Sequence, residues 1–290
     1  MSEPVSTSAT RHVVVESFPD LQILPLDYLV PHEQHDDQRS GPLIERIREA
    51  GIFLNPPVVA PMDDRRYVIL DGANRHFALK ALGYRYILVQ VVDYESDAVH
   101  LGTWFHVISD LAAAEFMDEL RDVEALTASP TDLLSARASL ARREALAYVV
   151  LSDHEVYLLE THWGDLAHRT RTLCGIVDTY KRRGTLNRIS TDHFSAAREM
   201  YPTAVAIVVF PQYLPAEIMV AARDRLFLPP GLTRHMIQGR ALRVSYPLSE
   251  LAENGDTLEE KNRHLKTWIQ QRLADKRIRY YAEPSYLFDE

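Results

Sequence analysis

A single cysteine, Cys174, stands in the 290 residues, which rules out an intrachain disulfide and any multi-cysteine metal site. Glycine is sparse, at 11 residues, and no Gly-x-x-x-x-Gly-Lys-Ser/Thr phosphate loop occurs anywhere. Long apolar runs are missing as well. A typical run, Ala204 to Phe210, falls far short of the ~20 residues needed to span a bilayer. Met1 to Thr10 holds neither a basic patch nor an apolar stretch, so no secretory signal is expected. Positive charge is in deficit, with 32 Lys and Arg against 41 Asp and Glu and a net charge of −9. That balance disfavours broad nucleic-acid binding, which needs clustered cations, although a local patch would be enough. The expected compartment is the cytoplasm.

What is present is ordinary globular sequence, 46% hydrophobic and 25% charged, long enough for one large or two modest domains. Residues 1–20 read as a flexible tail, 21–110 as a compact α/β domain, and 111–290 as a larger mixed α/β domain. Leu43, Ile44 and Ile47 share one helical face, and Gly51 ends that helix. Strands are expected at Val58-Val59-Ala60, Tyr67 to Leu70 and Tyr86 to Val92, with a helix from His76 to Leu82 stopped by Gly83. This alternation defines an α/β unit. Beyond it, Asp110 to Ala147 reads as helical, broken near Thr127 to Pro130, and Val149 to Leu159 as a hairpin. Helices follow over Leu166 to Tyr180, Pro215 to Asp224 and Thr257 to Lys276, the last opening on the capping-box pair Thr257 and Glu260. Strands are expected at Ala204 to Phe210 and Leu242 to Val244.

Two local features carry chemistry. In the first, the strand ending at Leu70 runs through Asp71-Gly72-Ala73-Asn74-Arg75 into a helix. The free N–H groups of such a helix start favour an anion, Gly72 lets the backbone approach it, and Arg75 adds a charged fork. Asp71 beside a phosphate site would suit a divalent cation. Equally, Asp71 and Asn74 could merely cap the helix, with Arg75 a solvated charge. In the second feature, Val30-Pro31-His32-Glu33-Gln34-His35-Asp36-Asp37, Glu33 is a candidate general base and His32 and His35 candidate ligands. A polar surface loop is the alternative, and local spacing supplies no third or fourth zinc ligand.

Together these residues resemble the ParB/sulfiredoxin-like superfamily, and within it the free L-serine kinases, most closely their bacterial, siderophore-associated branch. Leu29-Val30-Pro31-His32-Glu33 is similar to the loop bearing those kinases' catalytic glutamate, and Leu70-Asp71-Gly72-Ala73-Asn74-Arg75 to their Asp-Gly-x-x-Arg nucleotide turn. Leu228-Pro229-Pro230-Gly231-Leu232-Thr233-Arg234-His235 resembles their substrate-side Pro-x-Gly-x-Thr-Arg stretch, and Thr103-Trp104-Phe105-His106 their aromatic segment. Archaeal members carry two histidines where this chain has Ala73-Asn74. The arginine-rich box and helix-turn-helix of the partition proteins are missing, and no cysteine stands in the turn as in sulfiredoxins.

The resemblance implies a ParB/sulfiredoxin-like N-terminal domain, a second domain closing over it, and transfer of a phosphoryl group from ATP or ADP, with Mg²⁺, to L-serine. Under it Glu33 and Asp71 are catalytic, Asp71 also orienting Mg²⁺, directly or indirectly. Gly72, Ala73, Asn74, Arg75 and His76 bind nucleotide. Trp104 and His106 wall the serine pocket, although Trp104 could equally be core, and Thr233, Arg234 and His235 hold the serine carboxylate. The competing readings are a ParB-like regulator that binds nucleotide or DNA without catalysis, and a kinase for another small hydroxy-amino acid.

Overall fold

The structure is a computed structural model that describes residues 18–281 apart from 163; most of the expected N-terminal tail and the end of the C-terminal segment lie outside the described residues. The first half of the chain runs β1 (Asp20–Pro25), β2 (Leu29–Pro31), α1 (Asp37–Ala50), β3 (Ile52–Phe53), β4 (Val58–Pro61), β5 (Tyr67–Asp71), α2 (Ala73–Ala81) and β6 (Tyr86–Val91). It continues through β7 (Val99–Thr103), β8 (Phe105–Ser109), α3 (Ala113–Arg121), β9 (Leu126–Thr131) and α4 (Leu133–Ala141). The second half runs β10 (Ala147–Leu151), β11 (Val156–Thr161), α5 (Leu166–Lys181), β12 (Thr185–Ile189), α6 (Phe194–Met200) and β13 (Ala204–Val209). It ends with α7 (Pro215–Arg223), β14 (Thr233–Ile237), β15 (Tyr246–Pro247) and α8 (Leu258–Ala274).

Two sheets carry this mixed α/β fold. The first has strand order β1-β6-β4-β5-β2 and the second β12-β8-β13-β10-β11-β9. Their central strands, among them β4, β5, β10 and β13, are continuous apolar runs because both faces are covered. On β5, Ile69 packs into a core with Ile47, Leu79 and Ile87, while its neighbours Val68 and Leu70 face a second core shared with Ile108, Val149 and Val208. That shared core also takes in Leu228 and Leu232, so the two sheets are packed into one body. On the far face of the second sheet, Val107, Tyr148, Val150 and Ile207 pack against α4 and α6.

The break expected at Thr127 to Pro130 is a strand, β9, paired with β11 alone. As an edge strand it tolerates Pro130, which has no N–H to donate. The strand expected at Leu242 to Val244 does not form: Arg243 and Ser245 take positive φ angles of 50° and 55°, which break an extended run. The pairings in that region are β14 on β7 and β15 on β3.

Among the described residues the last helix returns to the first strand. β1 is an edge of its sheet, and α8 lies beside it with Leu265 buried in the β1 core. Asn262 imitates a missing strand there: its Nδ2 donates to the Ile23 carbonyl at 2.9 Å and its Oδ1 accepts from the Ile23 N–H at 2.9 Å. The buried Lys261 ammonium donates to the carbonyls of Glu250 and Ala252 and to Asn254 Oδ1 at 2.7–3.1 Å. Asn262→Ala strands a backbone donor and acceptor on Ile23, so its urea midpoint is expected to fall by an amount equivalent to about 1–3 kcal/mol. An unchanged midpoint would show that water replaces the amide.

Candidate active site

A cavity of about 1020 Å³ opens where the first sheet's helix starts face the 230–234 segment and β12. Its floor is the end of β5. There the chain turns at Gly72, whose φ of +108° belongs to the left-handed region. A Cβ on Gly72 would lie 2.8 Å from both Pro57 Cβ and Arg75 Nη2, so glycine is required twice over. Helix α2 then starts with no side-chain cap, leaving the N–H groups of its first turn without a capping partner. Gly72, Ala73, Asn74 and Arg75 all line the cavity.

Asp71 does not cap that helix. Its Oδ2 accepts from Arg75 and from Arg240, the latter reaching in from beyond β14. Burial pushes the Asp71 carboxyl up, but the charges and hydrogen bonds of the two guanidinium groups together carry it below the usual carboxylate range. Asn74 Oδ1 accepts from the Asp36 N–H at 2.8 Å and so ties the turn to the start of α1. Its amide nitrogen faces no partner among the described residues.

Glu33 follows β2, the parallel neighbour of β5, and makes a lone parallel bridge to Leu228. Its Oε2 accepts from the Gly231 N–H at 2.7 Å. Oε1 accepts from the N–H groups of Leu232 and Thr233 at 3.1 and 2.6 Å, and from the Thr233 hydroxyl at 2.6 Å. Beside it, the buried His32 donates from Nδ1 to the Ile69 carbonyl at 2.7 Å, since a carbonyl can only accept. Burial lowers its pKa despite the nearby Glu33 charge, so Nε2 carries a lone pair, 2.8 Å from the Thr233 hydroxyl. That hydroxyl therefore has two acceptors and one proton.

Of the residues expected from sequence, Glu33, Asp71, Gly72, Ala73, Asn74, Arg75, Trp104 and Thr233 line the cavity together. Four others do not. His76 points away, its Nε2 3.3 Å from the Leu26 carbonyl. Arg234 alternates with Thr233 along β14 and so lies on the other face, stacked 4.2 Å over the Trp104 ring. His235 returns to the inner face but is blocked, its Nε2 2.8 Å from the Tyr94 hydroxyl. His106 is fully buried, accepting from the Tyr180 hydroxyl at 2.8 Å and donating to the Gly231 carbonyl at 3.3 Å; it props the turn rather than walling a pocket. His35 stacks on Phe77 at 3.8 Å and is no part of a metal cluster. Among the described residues, no three His, Cys, Asp or Glu side chains group as a metal site.

Sequence reasoning missed most of the positive charge. Five arginines (39, 46, 75, 188 and 243) and three carboxylates (Glu33, Asp36 and Asp71) line the cavity, with Arg240 just behind. A chain of net charge −9 thus keeps a cationic cleft, suited to an anionic ligand. No local signal marks Arg39 or Arg188, because neither stands in a motif. For a divalent cation the donor set is thin but adequate. Asp71 Oδ1 accepts no hydrogen bond among the described residues, and Mg²⁺ takes one or two carboxylates and fills its shell with water and phosphate oxygens.

No protein-family model matches the chain. It is 26% identical, over 93% of its length and 97% of the relative, to the ATP-dependent L-serine kinase SbnI of Staphylococcus aureus. To the ADP-dependent L-serine kinase SerK of Thermococcus kodakarensis it is 25% identical, over 80% of this chain and 93% of that one. A solved structure of a free serine kinase in complex with AMP superposes with a TM-score of 0.68 at 20% identity, covering 81% of this chain and 95% of that one, and so shares its fold. The resemblance drawn from the Pro-His-Glu loop and the Asp-Gly-x-x-Arg turn is thereby borne out.

The buried histidines make a pH prediction. Burial, as the leading cause, holds both His106 and His235 down to about 3, so they stay neutral in the fold while the unfolded chain protonates them below about 6.5. Stability is then complete above that value and falls with pH down to about 3, by roughly 1.4 kcal/mol per pH unit for each histidine. His235→Asn is expected to flatten the slope of unfolding free energy between pH 6 and 4 (about this range) by one histidine's share. An unaltered slope would mean that His235 protonates in the folded protein.

Proposed function

We propose that this chain is a kinase for free L-serine that forms O-phospho-L-serine from a nucleotide donor, ATP in preference to ADP, with Mg²⁺ and in the cytoplasm. One observation carries the reading: Glu33 and the uncapped Gly72–Arg75 turn line one cavity, in a chain that matches an ATP-dependent L-serine kinase over nearly its full length. The full-length match to an ATP-dependent relative is also what favours ATP.

Phosphoryl transfer asks a protein mainly for positioning and charge stabilisation. The first-turn N–H groups of α2 and the Arg75 fork bind the donor's phosphates. Pro42, Leu43, Phe53 and Leu54, at the apolar end of the same cavity, cover its base. Asp71 is the residue that would hold Mg²⁺, which when bound neutralises charge on the phosphates. Trp104 closes the acceptor side, its position fixed by Arg234 stacked on its ring.

Glu33 accepts the proton of the serine hydroxyl as that oxygen takes the phosphoryl group and the nucleoside diphosphate leaves. In the structure the Thr233 hydroxyl occupies the Oε1 position that the acceptor hydroxyl must use. His32 provides the release. With Nδ1–H committed to Ile69, its Nε2 can take the Thr233 proton instead, which frees Oε1 without disturbing the N–H groups that aim the carboxylate. The close packing of both sheets around the cavity limits water, and with it wasteful hydrolysis of the donor.

Incubation of the protein with Mg²⁺, L-serine and either ATP or ADP, followed by mass spectrometry, is expected to yield phosphoserine, faster with ATP. Homoserine and threonine are expected to compete weakly. Glu33→Gln should lower kcat by about 10²-fold or more. The reading is wrong if neither nucleotide gives product, and Glu33 is not the base if Glu33→Gln keeps full turnover.

A further inference from the structure

Arg188 is a cavity arginine with no carboxylate partner among the described residues. It stands on β12, the edge of the second sheet, and reaches over the Gly231 turn. The approach is so close that a Cβ on Gly231 would fall 1.8 Å from its Nη2 and 2.1 Å from its Cζ. Gly231, at φ +73°, is the residue that leaves room for the guanidinium. That group makes no hydrogen bond or ion pair among the described residues, and its Nε is fully buried without a partner. An unpaired cation in such a place costs free energy unless a ligand completes it. Its pKa is lowered from the arginine value, first by burial and next by the neighbouring Arg39 charge, the attraction of Glu33 notwithstanding. Arg39, on α1, is itself exposed and has no ion pair among the described residues. Two unneutralised guanidinium groups therefore face the same part of the cavity, next to the carboxylate that would activate the acceptor.

We propose that Arg188 binds the α-carboxylate of the acceptor amino acid, with Arg39 adding charge from the rim, and so makes the site selective for a free amino acid over a simple hydroxy-amine. This rests on the serine-kinase reading above. Donor phosphates have their own partners in the α2 start and Arg75. The acceptor hydroxyl belongs at Glu33 Oε1, and Gly231, whose N–H anchors Glu33 Oε2, is the residue over which the Arg188 guanidinium packs. In serine the carboxylate hangs on the carbon next to the one bearing the hydroxyl, so a hydroxyl at Glu33 brings the carboxylate into this neighbourhood. A planar fork matches it bidentately, which an ammonium cannot do. Arg188 also takes the role that sequence reasoning gave to Arg234, whose guanidinium is turned onto Trp104.

The test is calorimetric binding of L-serine, and of serinol as the analogue without a carboxylate, to the full-length protein and to Arg188→Met and Arg188→Lys, with KM values for serine and nucleotide measured alongside. Arg188→Met is expected to weaken serine binding about 10- to 100-fold, to leave serinol binding and the nucleotide KM near those of the wild type, and so to erase the preference for serine. Arg188→Lys should recover part of it, and equal melting temperatures would show that the variants fold. Unchanged serine affinity in Arg188→Met, or a rise confined to the nucleotide KM, overturns the assignment. Binding of serine by the wild type without turnover would sink the kinase reading and leave the carboxylate site standing. A wild type that neither binds nor phosphorylates serine would remove both.

Discussion

The docking of one carboxylate onto a strand of backbone donors organises this molecule. Glu33 belongs to the first sheet's loop, and Gly231, Leu232 and Thr233 to the segment that leads into β14. A carboxylate has no better complement than successive N–H groups, and here both oxygens are engaged, with the Thr233 hydroxyl added. The interaction closes a separation of about two hundred residues, ties the first sheet's loop to the segment leading into β14, and orients the carboxylate proposed as the base. Leu228 and Leu232 on either side sink into the core that both sheets share, so apolar burial holds in place what the charge orients.

Around that clamp the arginines differ in how far they are paired. Arg75 and Arg240 share one carboxylate, Asp71, which orients both at the floor and leaves the group with net positive charge. Among the described residues Arg188 and Arg39 have no such partner, which leaves them for the proposed ligand. The difference matters because a shared carboxylate fixes the orientation of Arg75, whereas an unpaired guanidinium beside low-dielectric walls attracts an anion most strongly. Five arginines against three carboxylates give the cleft a positive balance within a chain of net charge −9.

The histidines illustrate how burial decides chemistry. His32, His106 and His235 all lie near the clamp, and each is held neutral chiefly by loss of water. A charged imidazole there would compete with arginine for the carboxylates. A neutral one can be fixed in a single tautomer by a carbonyl, as Ile69 does for His32 and Gly231 for His106. Their work is to hold shape and, at His32, to offer Thr233 a second acceptor.

The sequence by itself determined the local pieces: the mixed α/β texture, the glycine turn at the end of β5, Glu33 in its loop, and the capping box of α8. Each is written in neighbouring residues, in a φ angle only glycine takes easily or an apolar period that matches a helix. It also carried motifs specific enough to point to one family. Tertiary structure decided which motif residues face the cavity, because strand alternation sends Arg234 outward and Thr233 inward, and that depends on which face β14 turns to its neighbours. It decided that α8 closes the edge of β1, a pairing across the whole chain that no local pattern encodes. It alone brought Arg188 over Gly231, since the two belong to different elements and meet only when β12 joins the edge of the second sheet. Periodicity reports which way a side chain faces along its own element; what it meets there is set by long-range packing.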